Sequence, residues 1–444
     1  MSPDILKWPL YAAPIRCTWD QLCGPPRGDG RGTRSLRYVR IALDTDVLIV
    51  GAGPAGTAAA RVLAAAGRSV TVIDRAVFPR DKCCGDGLTT LALRELETLD
   101  FDPRAVPSWT TVDAAWVRSP SGREVCLPLE GAGQFAAVTP RLELDNALLE
   151  HARAAGANVL DGHGFVQVER QTDEWITFEA DGIGTVRARY VIAADGMWSP
   201  VRKALGVGQP GYLGEWHGFR QYATNVTGPA KDRLYVWFEP DLLPGYAWSF
   251  PLPDGRTNVG FGLLRSGKRK VHDMKSIWPE LLQRPHIRAA LGPDAQMEGR
   301  HTAWPIPARV DSAVLTSGRV LFVGDAATAT DALTGEGIGQ ALLTGRLAAE
   351  AIIATGGLDA AATRRHYEAQ VGEHLFADHR MSIVLGRVLS NEWASRGAIR
   401  VIGTSGWSRR NFAKWMFEDE PRAVALTPSR WHRKLFRRPG AFVG

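Results

Sequence analysis

Cysteine is scarce in this chain of 444 residues, and its five copies follow no recognisable spacing. Their positions, 17, 23, 83, 84 and 126, fit neither a disulfide framework nor a zinc motif. The sequence therefore predicts a reducing, cytoplasmic setting and no metal site. Internal repeats are also absent, which excludes solenoids and propellers. With 45% apolar and 23% charged residues, the composition is globular, and the length favours two interleaved domains.

A long uninterrupted apolar run is missing as well. The longest candidate, residues 47–67, is broken by glycine, proline and arginine at positions 51, 53, 54, 56 and 61. This composition favours a phosphate-binding turn over a membrane span. The N-terminus shows no apolar core of the kind that a signal peptide needs. Residues 1–43 have no sustained periodicity and are predicted to form a disordered basic extension.

Positive charge is confined to the two ends of the chain. Residues 1–43 carry seven basic and three acidic side chains, and residues 400–444 carry ten and three, which leaves the middle at −5. The ends are either solvated tails or segments that touch anionic lipid. Tryptophans at 407, 415 and 431 among the basic residues suit peripheral contact with an anionic membrane, and a partner-docking helix is equally allowed. No nucleic-acid recognition motif accompanies the charge, so no nucleic-acid partner is expected.

A glycine-rich turn, Gly51-Ala52-Gly53-Pro54-Ala55-Gly56, follows a predicted buried strand and opens a predicted helix at 56–66. The first glycine permits the tight turn, the second lets the backbone approach a pyrophosphate, and the third allows close packing of helix on strand. Free N–H groups at the start of the helix favour phosphate. Asp74 lies 18 residues beyond Gly56, at the end of the second strand, where its carboxylate can accept both hydroxyls of a ribose. The sequence therefore predicts dinucleotide binding.

Two later segments distinguish the flavin from a nicotinamide dinucleotide. Tyr190–Gly196 is a strand that ends in Asp-Gly, and Leu321–Ala327 is a strand that ends in Gly-Asp. In this order the three segments resemble the signatures of the flavoprotein hydroxylase superfamily. The resemblance implies that Asp325 holds the ribityl chain of FAD. It also implies that Asp195-Gly196 lies near the pyrophosphate and assists the nicotinamide donor, and that Arg141 contacts the flavin side chain.

The segment Leu333–Gly339 precedes a predicted helix at 335–354 and contains Gly335 and Gly337. Glycines at this position let backbone N–H groups approach a ligand, which in the superfamily is the pyrimidine edge of the flavin. A helix N-terminus carries about half a positive charge and favours the reduced flavin anion. An ordinary glycine-rich helix start is the alternative. Since no second glycine fingerprint follows a strand, NADPH or NADH is expected only as a transient electron donor.

Three segments resemble the geranylgeranyl reductase family: Phe78–Thr89, Pro244–Pro251 with Asn258–Gly260, and Leu333–Ile338. The resemblance covers about 44–360 and implies a prenyl-lipid or similar apolar substrate. Two departures are visible. Asp331-Ala332 stands where the family usually has Asn-Pro, and Cys83 turns the usual single cysteine into a pair. The residues that the resemblance and the motifs together assign to the cofactor are Gly51, Gly53, Pro54, Ala55, Gly56, Asp74, Arg75, Gly85, Arg141, Asp195, Gly196, Gly324, Asp325, Gly335, Gly337 and Ile338.

By the same resemblance, Tyr246, Trp248 and Phe250 line the substrate cavity, and their alternation places them on one face of a strand. For Phe250 a plain core position is almost equally favoured. Cys84 either protonates a substrate carbon or only packs. The expected catalytic residues are Cys84, Tyr246 and Trp248.

The predicted fold is α/β, with a Rossmann-type FAD-binding domain interleaved with an antiparallel-sheet substrate domain and followed by a helical C-terminal region. The predicted function is FAD-dependent reduction of carbon–carbon double bonds in an isoprenoid. An aromatic or polyketide monooxygenase, or a non-redox role for FAD, remains open, as does the oligomeric state. The expected boundaries are 44–110, 135–205 and 304–357 for the FAD-binding domain, 111–134 for a substrate-domain hairpin, 206–303 for the antiparallel domain, and 358–444 for the helical basic region.

Overall fold

The structure, a computed structural model, describes residues 41–428, 431, 435 and 437–443. Most of the predicted N-terminal extension therefore lies outside the described residues. Its last three positions belong to the first strand, in which Ile41 and Leu43 pair with Thr185 and Val186. The predicted boundary at residue 43 is wrong by those three residues, because the alternation of Ile41 and Leu43 already marks a half-buried strand.

The strands of the described chain form three sheets. In chain order they are β1 (Ile41–Val50), β2 (Val70–Asp74), β3 (Gly87–Leu88), β4 (Thr110–Thr111), β5 (Ala114–Arg118), β6 (Glu124–Pro128), β7 (Ala137–Val138), β8 (Asn158–Asp161), β9 (Phe165–Gln171), β10 (Ile176–Ala180), β11 (Gly184–Ala193), β12 (Trp216–Thr224), β13 (Leu234–Trp237), β14 (Ala247–Pro251), β15 (Thr257–Leu264), β16 (Gln296–Ile306), β17 (Thr316–Ser317) and β18 (Val320–Phe322).

Helices cover the sheets and make up most of the C-terminal region. They are α1 (Pro54–Ala65), α2 (Thr90–Thr98), α3 (Arg141–Ala154), α4 (Pro200–Ala204), α5 (Met274–Leu282), α6 (Pro285–Leu291), α7 (Ile338–Ala354), α8 (Ala360–Val371), α9 (Ala377–Leu389), α10 (Glu392–Ile402) and α11 (Gly406–Met416). A π-helical segment, Gly372–Phe376, joins α8 to α9. Among these helices, none is both long enough and apolar enough to cross a membrane.

The sequence reading of 206–303 as antiparallel strands missed α5 and α6. Met274, Ile277, Trp278 and Leu281 are all buried on one side of α5. Their spacing of three, one and three is that of a helical face, so the signal was present. The aromatic content of the region, which favours strands, obscured it.

The eight-stranded sheet has the order β17-β18-β11-β1-β2-β8, with β9 and β10 attached beside β11. Its central strands are parallel, and Val47 to Val50 of β1 are buried on both faces, as a continuous apolar run predicts. Val50 pairs with Ala193, and Ala193 pairs with Phe322. The carboxyl ends of β1, β11 and β18 therefore lie side by side, which brings the three flavin-type segments to one edge of the sheet.

The seven-stranded sheet has the order β16-β12-β15-β14-β13-β5-β6. The predicted hairpin is present as β5 and β6, and β5 joins the sheet by parallel pairing with β13. One face packs on α5 through Phe219, Phe261 and Trp278. The opposite face carries Trp248 and Phe250, which belong to a separate apolar cluster. A third sheet has three strands in the order β3-β7-β4. In the chain, β3 and β4 precede the β5–β6 hairpin, and β7 follows it.

Candidate active site

The glycine turn after β1 contains two positions that the fold itself requires. Gly51 has φ +105°, and a Cβ there would overlap the carbonyl oxygen of Ala194. A Cβ at Gly56 would overlap the carbonyl oxygen of Gly51. Gly53 differs, because its φ is −76° and the nearest atom to an added Cβ is Arg80 Nη2 at 3.6 Å. Gly53 therefore leaves room for a ligand to approach the backbone.

The start of α1 is suited to phosphate. Pro54 begins the helix, Ala55 is buried behind it, and no side chain caps the N-terminal N–H groups. Asp74 braces the turn, since Oδ2 accepts a hydrogen bond from the Ala52 N–H at 2.8 Å and Oδ1 accepts one from the Ala76 N–H at 2.8 Å. Each oxygen keeps a lone pair for a ribose hydroxyl. Arg75, the next residue, is exposed at the rim.

Arg141 is the first residue of α3 and is buried against a carboxylate that the sequence analysis did not single out. Its guanidinium donates twice to Asp145, at 2.7 Å each, and Arg80 Nη1 donates to the same carboxylate at 2.7 Å. Burial opposes ionisation of Asp145, but the charges of Arg141 and then Arg80 outweigh it and hold its pKa below the usual range. Asp145 thus orients both arginines, of which Arg80 lies beside Gly53 of the glycine turn. Its position four residues after Arg141 in a helix is the signal that could have found it.

The segments after β11 and β18 adjoin this turn. Asp195 Oδ2 accepts from the Val201 N–H at 3.0 Å, and burial raises the pKa of this carboxyl to about 6. Gly196 follows with φ +80°. Asp325 lies 3.6 Å from the ammonium of Lys82, and the Gly324 N–H donates to Thr344 Oγ1 at 2.9 Å. Both acids follow strands whose carboxyl ends lie side by side, and their contacts with FAD stay predictions.

The flavin-loop, defined as residues 331–337, leads into α7. Gly335 has φ +74°, Gly337 is the residue before the helix, and α7 begins at Ile338, three residues later than predicted. The difference arises because the positive φ of Gly335 is incompatible with a helix. No side chain caps α7.

Asp331, one of the two residues that replace the family's usual Asn-Pro, organises the flavin-loop. Its Oδ1 accepts hydrogen bonds from the N–H groups of Leu333 and Thr334, at 3.0 and 2.8 Å, and from the Thr334 hydroxyl at 2.8 Å. Its Oδ2 accepts from Ser382 of α9 at 2.6 Å. Burial opposes ionisation of this carboxyl, but the positive charge of Arg422 and these bonds lower its pKa. Asp331 shapes the flavin-loop through hydrogen bonds, while Ala332 stands where a proline would fix a backbone angle.

These features fit FAD. The uncapped N-terminus of α1, the open side of Gly53 and the nearby Arg80 match a pyrophosphate. The uncapped N-terminus of α7 supplies N–H groups and partial positive charge for the pyrimidine edge of a flavin. Asp74 and Asp325 offer carboxylates for the ribose and ribityl hydroxyls.

An aromatic row, defined as Tyr246, Trp248 and Phe250, runs along one face of the seven-stranded sheet. The ring centroids of Tyr246 and Trp248 are 6.0 Å apart, and those of Trp248 and Phe250 are 6.2 Å apart. The Tyr246 hydroxyl donates to the carbonyl oxygen of Thr334 in the flavin-loop. Burial raises the pKa of Tyr246, and the nearby charges of Glu336 and Asp331 raise it further. The row therefore adjoins the loop that would carry the flavin.

A buried polar network holds the row in place. Trp248 Nε1 donates to Asn258 Oδ1 at 3.0 Å, and Asn258 Nδ2 donates to Asp86 Oδ2 at 2.7 Å and to the Cys84 carbonyl oxygen at 2.9 Å. The Tyr222 hydroxyl also donates to Asp86 Oδ2, at 2.7 Å. Burial raises the pKa of Asp86 to about 6. Asp86 and Asn258 both lie in segments that resemble the family, but neither has a role that the sequence alone predicts, because only the fold brings them together.

Cys84 and Gly85 lie beside this network. Burial raises the pKa of the Cys84 thiol to about 11, so the sulfur keeps its proton near neutral pH. An added Cβ at Gly85 would lie 3.4 Å from the Phe250 ring and 3.5 Å from Trp248. Gly85 therefore contacts the aromatic row, and its assignment to the cofactor stays a prediction.

Comparison with known proteins agrees with this geometry. The FAD binding domain family matches residues 44–355. A menaquinone reductase of Mycobacterium tuberculosis is 35% identical over 69% of this chain and 76% of its own length. A digeranylgeranylglycerophospholipid reductase of Methanopyrus kandleri is 30% identical over 69% of this chain and 76% of its own. A geranylgeranyl bacteriochlorophyll reductase-like protein of Thermoplasma acidophilum superposes with a TM-score of 0.71 at 22% identity, over 87% of this chain and 99% of its own.

Proposed function

The chain belongs to the geranylgeranyl reductase family of FAD-dependent oxidoreductases, and we propose that it reduces carbon–carbon double bonds in the isoprenoid chain of a membrane lipid or quinone. FAD, when bound and reduced, supplies the hydride. The protein orients the prenyl chain, excludes water and supplies the matching proton. The names of the two relatives support this substrate class, since a quinone and a glycerophospholipid of this kind both carry prenyl chains.

The observation that carries the proposal is the aromatic row beside the flavin-loop. Tyr246 is tied to that loop by its hydroxyl, while Trp248 and Phe250 extend the apolar wall along β14. Aromatic faces bind an isoprenoid by apolar contact and present no charge to it. We infer that the row holds the double bond against the flavin.

The decisive experiment is anaerobic turnover of a prenyl substrate. The purified protein, with its flavin reduced and oxygen removed, is mixed with menaquinone or with a geranylgeranyl ether phospholipid. We expect a product heavier by two hydrogens for each saturated bond. A product that forms only in air and carries label from ¹⁸O₂ would instead establish a monooxygenase and overturn the proposal.

Two tryptophans on opposite faces of the seven-stranded sheet, Trp248 of β14 and Trp278 of the packed helix α5, provide a matched pair of variants. Trp248 donates to Asn258 Oδ1 at 3.0 Å, and Trp278 donates to Gln221 Oε1 at 3.0 Å on the opposite face. Each of the variants Trp248→Phe and Trp278→Phe loses one buried hydrogen bond, which should lower the free energy of unfolding by about 1–3 kcal/mol. Only Trp248→Phe should raise KM for the prenyl substrate while leaving FAD affinity unchanged. Equal effects of the two changes on KM would remove Trp248 from the substrate cavity.

We propose NADPH or NADH as a transient electron donor. The sequence carries one glycine fingerprint after a strand, at 51–56, and we assign that one to FAD. Asp195 and Gly196, which adjoin the turn, are the residues assigned to assist the donor. Anaerobic bleaching of the oxidised flavin by NADPH or NADH, followed at its visible absorption band, tests this. Flavin that neither nucleotide bleaches would point to a different reductant.

We propose further that the protein meets its substrate at an anionic membrane through a face of α9, α10 and α11. Val384 and Val388 of α9, Trp393 and Val401 of α10, and Trp407 of α11 are all at least half exposed. Residues 377–416 carry seven basic and two acidic side chains. Exposed tryptophan and valine beside arginine are typical of interfacial helices.

The proposed membrane contact begins earlier in the chain than the basic, tryptophan-containing segment 400–444 that the sequence indicates. Lys414 is buried over the ring of Phe135, and the Trp415 indole donates to the Arg422 carbonyl oxygen at 3.3 Å, so both face the protein. Of the tail's other basic residues, Arg430, Arg433 and Lys434 lie outside the described residues. Sedimentation with anionic vesicles should weaken for Trp393→Ser and not for Trp198→Ser, an exposed tryptophan of the nucleotide half. Equal sedimentation of both variants would refute this face.

A further inference from the structure

A polar cavity of about 230 Å³ lies between α2, α7, α9 and the segment 418–422. Asp331 and Thr330 line it from the flavin-loop side, while the aromatic row does not contribute to its walls. The proposed function has no use for this space, whose lining includes nine aspartate, glutamate and arginine residues among apolar ones. In the described structure the cavity adjoins the flavin-loop, which Tyr246 of the aromatic row also contacts.

Glu418 is the central carboxyl of the cavity wall. It accepts hydrogen bonds from the Thr89 hydroxyl at 2.8 Å and from Gln340 Nε2 at 2.9 Å. Arg422 Nη2 lies 3.7 Å from Glu418, and Arg422 Nε lies 4.0 Å from Asp331. One buried guanidinium is therefore shared between two buried carboxyls.

Other groups in the wall are suited to bind water. Gln340 Oε1 is buried and makes no hydrogen bond within the described chain, and the same holds for both ring nitrogens of His379. Nε2 of His379 has only a 3.5 Å ion-pair approach to Asp311. Buried polar atoms beside a cavity of this size are ordinarily satisfied by water, which also conducts protons.

Glu336 is a flavin-loop residue whose backbone contacts both Asp331, which lines the cavity, and Thr334, which contacts the aromatic row. Its carbonyl oxygen accepts from the Asp331 N–H at 2.8 Å, and its N–H donates to the Thr334 hydroxyl at 3.3 Å. Thr334 in turn accepts from Tyr246. Glu336 is partly exposed, and its carboxyl makes no hydrogen bond or ion pair with the residues that the structure describes. The carboxyl is close enough to interact electrostatically with Glu418 of the cavity wall and with Tyr246 and Cys84 beside the aromatic row.

The charges around Glu336 favour its neutral form. Burial, and then the carboxyls of Glu418 and Asp331, raise the pKa of Glu336 to about 8, against the opposing charge of Arg422. Burial likewise raises the pKa of Glu418 to about 7. From the substrate side Glu336 faces Tyr246 and Cys84, whose own raised pKa values keep both neutral. Glu336 therefore holds a proton at neutral pH.

We propose that Glu336 donates the proton that completes reduction of the double bond, and that Glu418 and the polar cavity return a proton to it from solvent. The inference rests on the proposed function. The O–H bond of Glu336 breaks and a C–H bond forms at one alkene carbon, while the other carbon receives the hydride and the π bond is consumed. The resulting carboxylate takes a proton from Glu418, which regains one from water.

The test uses Glu336→Gln and Glu418→Gln in the full chain, with Glu350→Gln as the control on the same helix, α7. Enzyme reduced in advance is mixed anaerobically with menaquinone, and saturated product is counted by mass in a single turnover. We expect Glu336→Gln to slow product formation at least tenfold without changing FAD affinity. The wild-type rate should fall as pH rises through about 8, and that fall should be absent in Glu336→Gln. Glu418→Gln should slow repeated turnover more than the first, and Glu350→Gln should match wild type.

A second measurement needs neither substrate nor flavin. Infrared spectra of the FAD-free protein should show a protonated carboxylic acid at neutral pH that disappears on titration through about 8 and is missing in Glu336→Gln. The proposal would be overturned if the Glu336 acid signal already disappeared below pH 6. It would also be overturned if Glu336→Gln kept the wild-type single-turnover rate while Cys84→Ala lost single turnover. Wild-type protein that saturates no prenyl chain would overturn the proposed function and this proton role together, whereas wild-type turnover with an unimpaired Glu336→Gln would overturn the proton role alone.

Discussion

Gly53→Ala should weaken FAD binding and leave the apoprotein intact, whereas Gly51→Ala should damage the fold itself. The two glycines lie two residues apart in one turn, yet the structure surrounds them differently. A methyl group at Gly51 would overlap the Ala194 carbonyl oxygen, whereas a methyl group at Gly53 would make only an ordinary van der Waals contact with Arg80 Nη2, at 3.6 Å. The contrast separates a glycine that the backbone needs from one that the ligand needs.

The magnitudes follow from the local geometry. A non-glycine residue at φ +105° costs of order 1–3 kcal/mol, and the overlap with Ala194 forces the ends of β1 and β11 apart at further cost. Gly53 has an ordinary φ of −76°, so its change to alanine adds no backbone strain. Alanine in place of this N-cap glycine costs roughly 0.5–1 kcal/mol at the helix start, which is about offset by the lower entropy of the unfolded chain. The methyl group instead blocks the approach of phosphate, for which we expect about a tenfold to hundredfold loss of affinity, or about 1.4 kcal/mol per factor of ten.

The assay has two parts. Thermal unfolding of the FAD-free proteins reports the fold, and quenching of FAD fluorescence on titration reports binding. Gly56→Ala is the second structural control, since its Cβ would overlap Gly51. Wild-type FAD affinity in Gly53→Ala would show that the pyrophosphate does not pass this residue. An apoprotein of Gly53→Ala as unstable as that of Gly51→Ala would refute the distinction altogether.

Three further predictions concern other parts of the chain. A protein that begins at Ile41 should keep its FAD; loss of FAD from such a protein at normal folding would assign residues 1–40 a structural role. Asp86→Asn should remove a pH dependence of stability. The pKa of Asp86 is about 6 in the folded protein and 3.8 in the unfolded chain, so the unfolded chain releases this proton first as pH rises. Asp86 therefore lowers the free energy of unfolding by up to about 3 kcal/mol between about pH 4 and pH 6. Denaturant titrations of both proteins at several pH values check this, and parallel curves would contradict it. Asp331→Ala should lower FAD affinity more than Ser382→Ala, because the first change removes three bonds within the flavin-loop and the second removes only the bond to α9; equal titration curves would count against this role of Asp331.

The nucleotide half of the molecule could be predicted because its signals are local. A buried parallel strand is a continuous apolar run, the turn after β1 is a fixed glycine pattern, and the helix after it starts at Pro54. The aromatic row was equally accessible, since alternation along one strand sets the face on which Tyr246 and Trp248 lie. The roles assigned to these residues remain predictions.

The parts that could not be predicted depend on distant pairs. Asp86 and Asn258 are 172 positions apart, and Thr89 and Glu418 are 329 apart, so neither pair leaves a periodic trace in the sequence. Glu418 in particular reads as one member of an acidic run, Glu-Asp-Glu, that is ordinarily solvated. Only the packing of the C-terminal segment against α2 and α7 turns it into a buried carboxyl.

That segment also changes how parts may be exchanged between relatives. The FAD binding domain match ends at residue 355, which invites treating everything beyond as an appendage that can be cut or grafted. Asp331, however, is fastened to Ser382 and Arg422, and Arg94 of α2 is fastened to Asp419. A chimera that joins this nucleotide half to another relative's C-terminal region would leave a buried acid without its partners, unless Asp331 is exchanged together with the segment it contacts. The flavin-loop and the C-terminal residues that contact Asp331 should therefore be exchanged together.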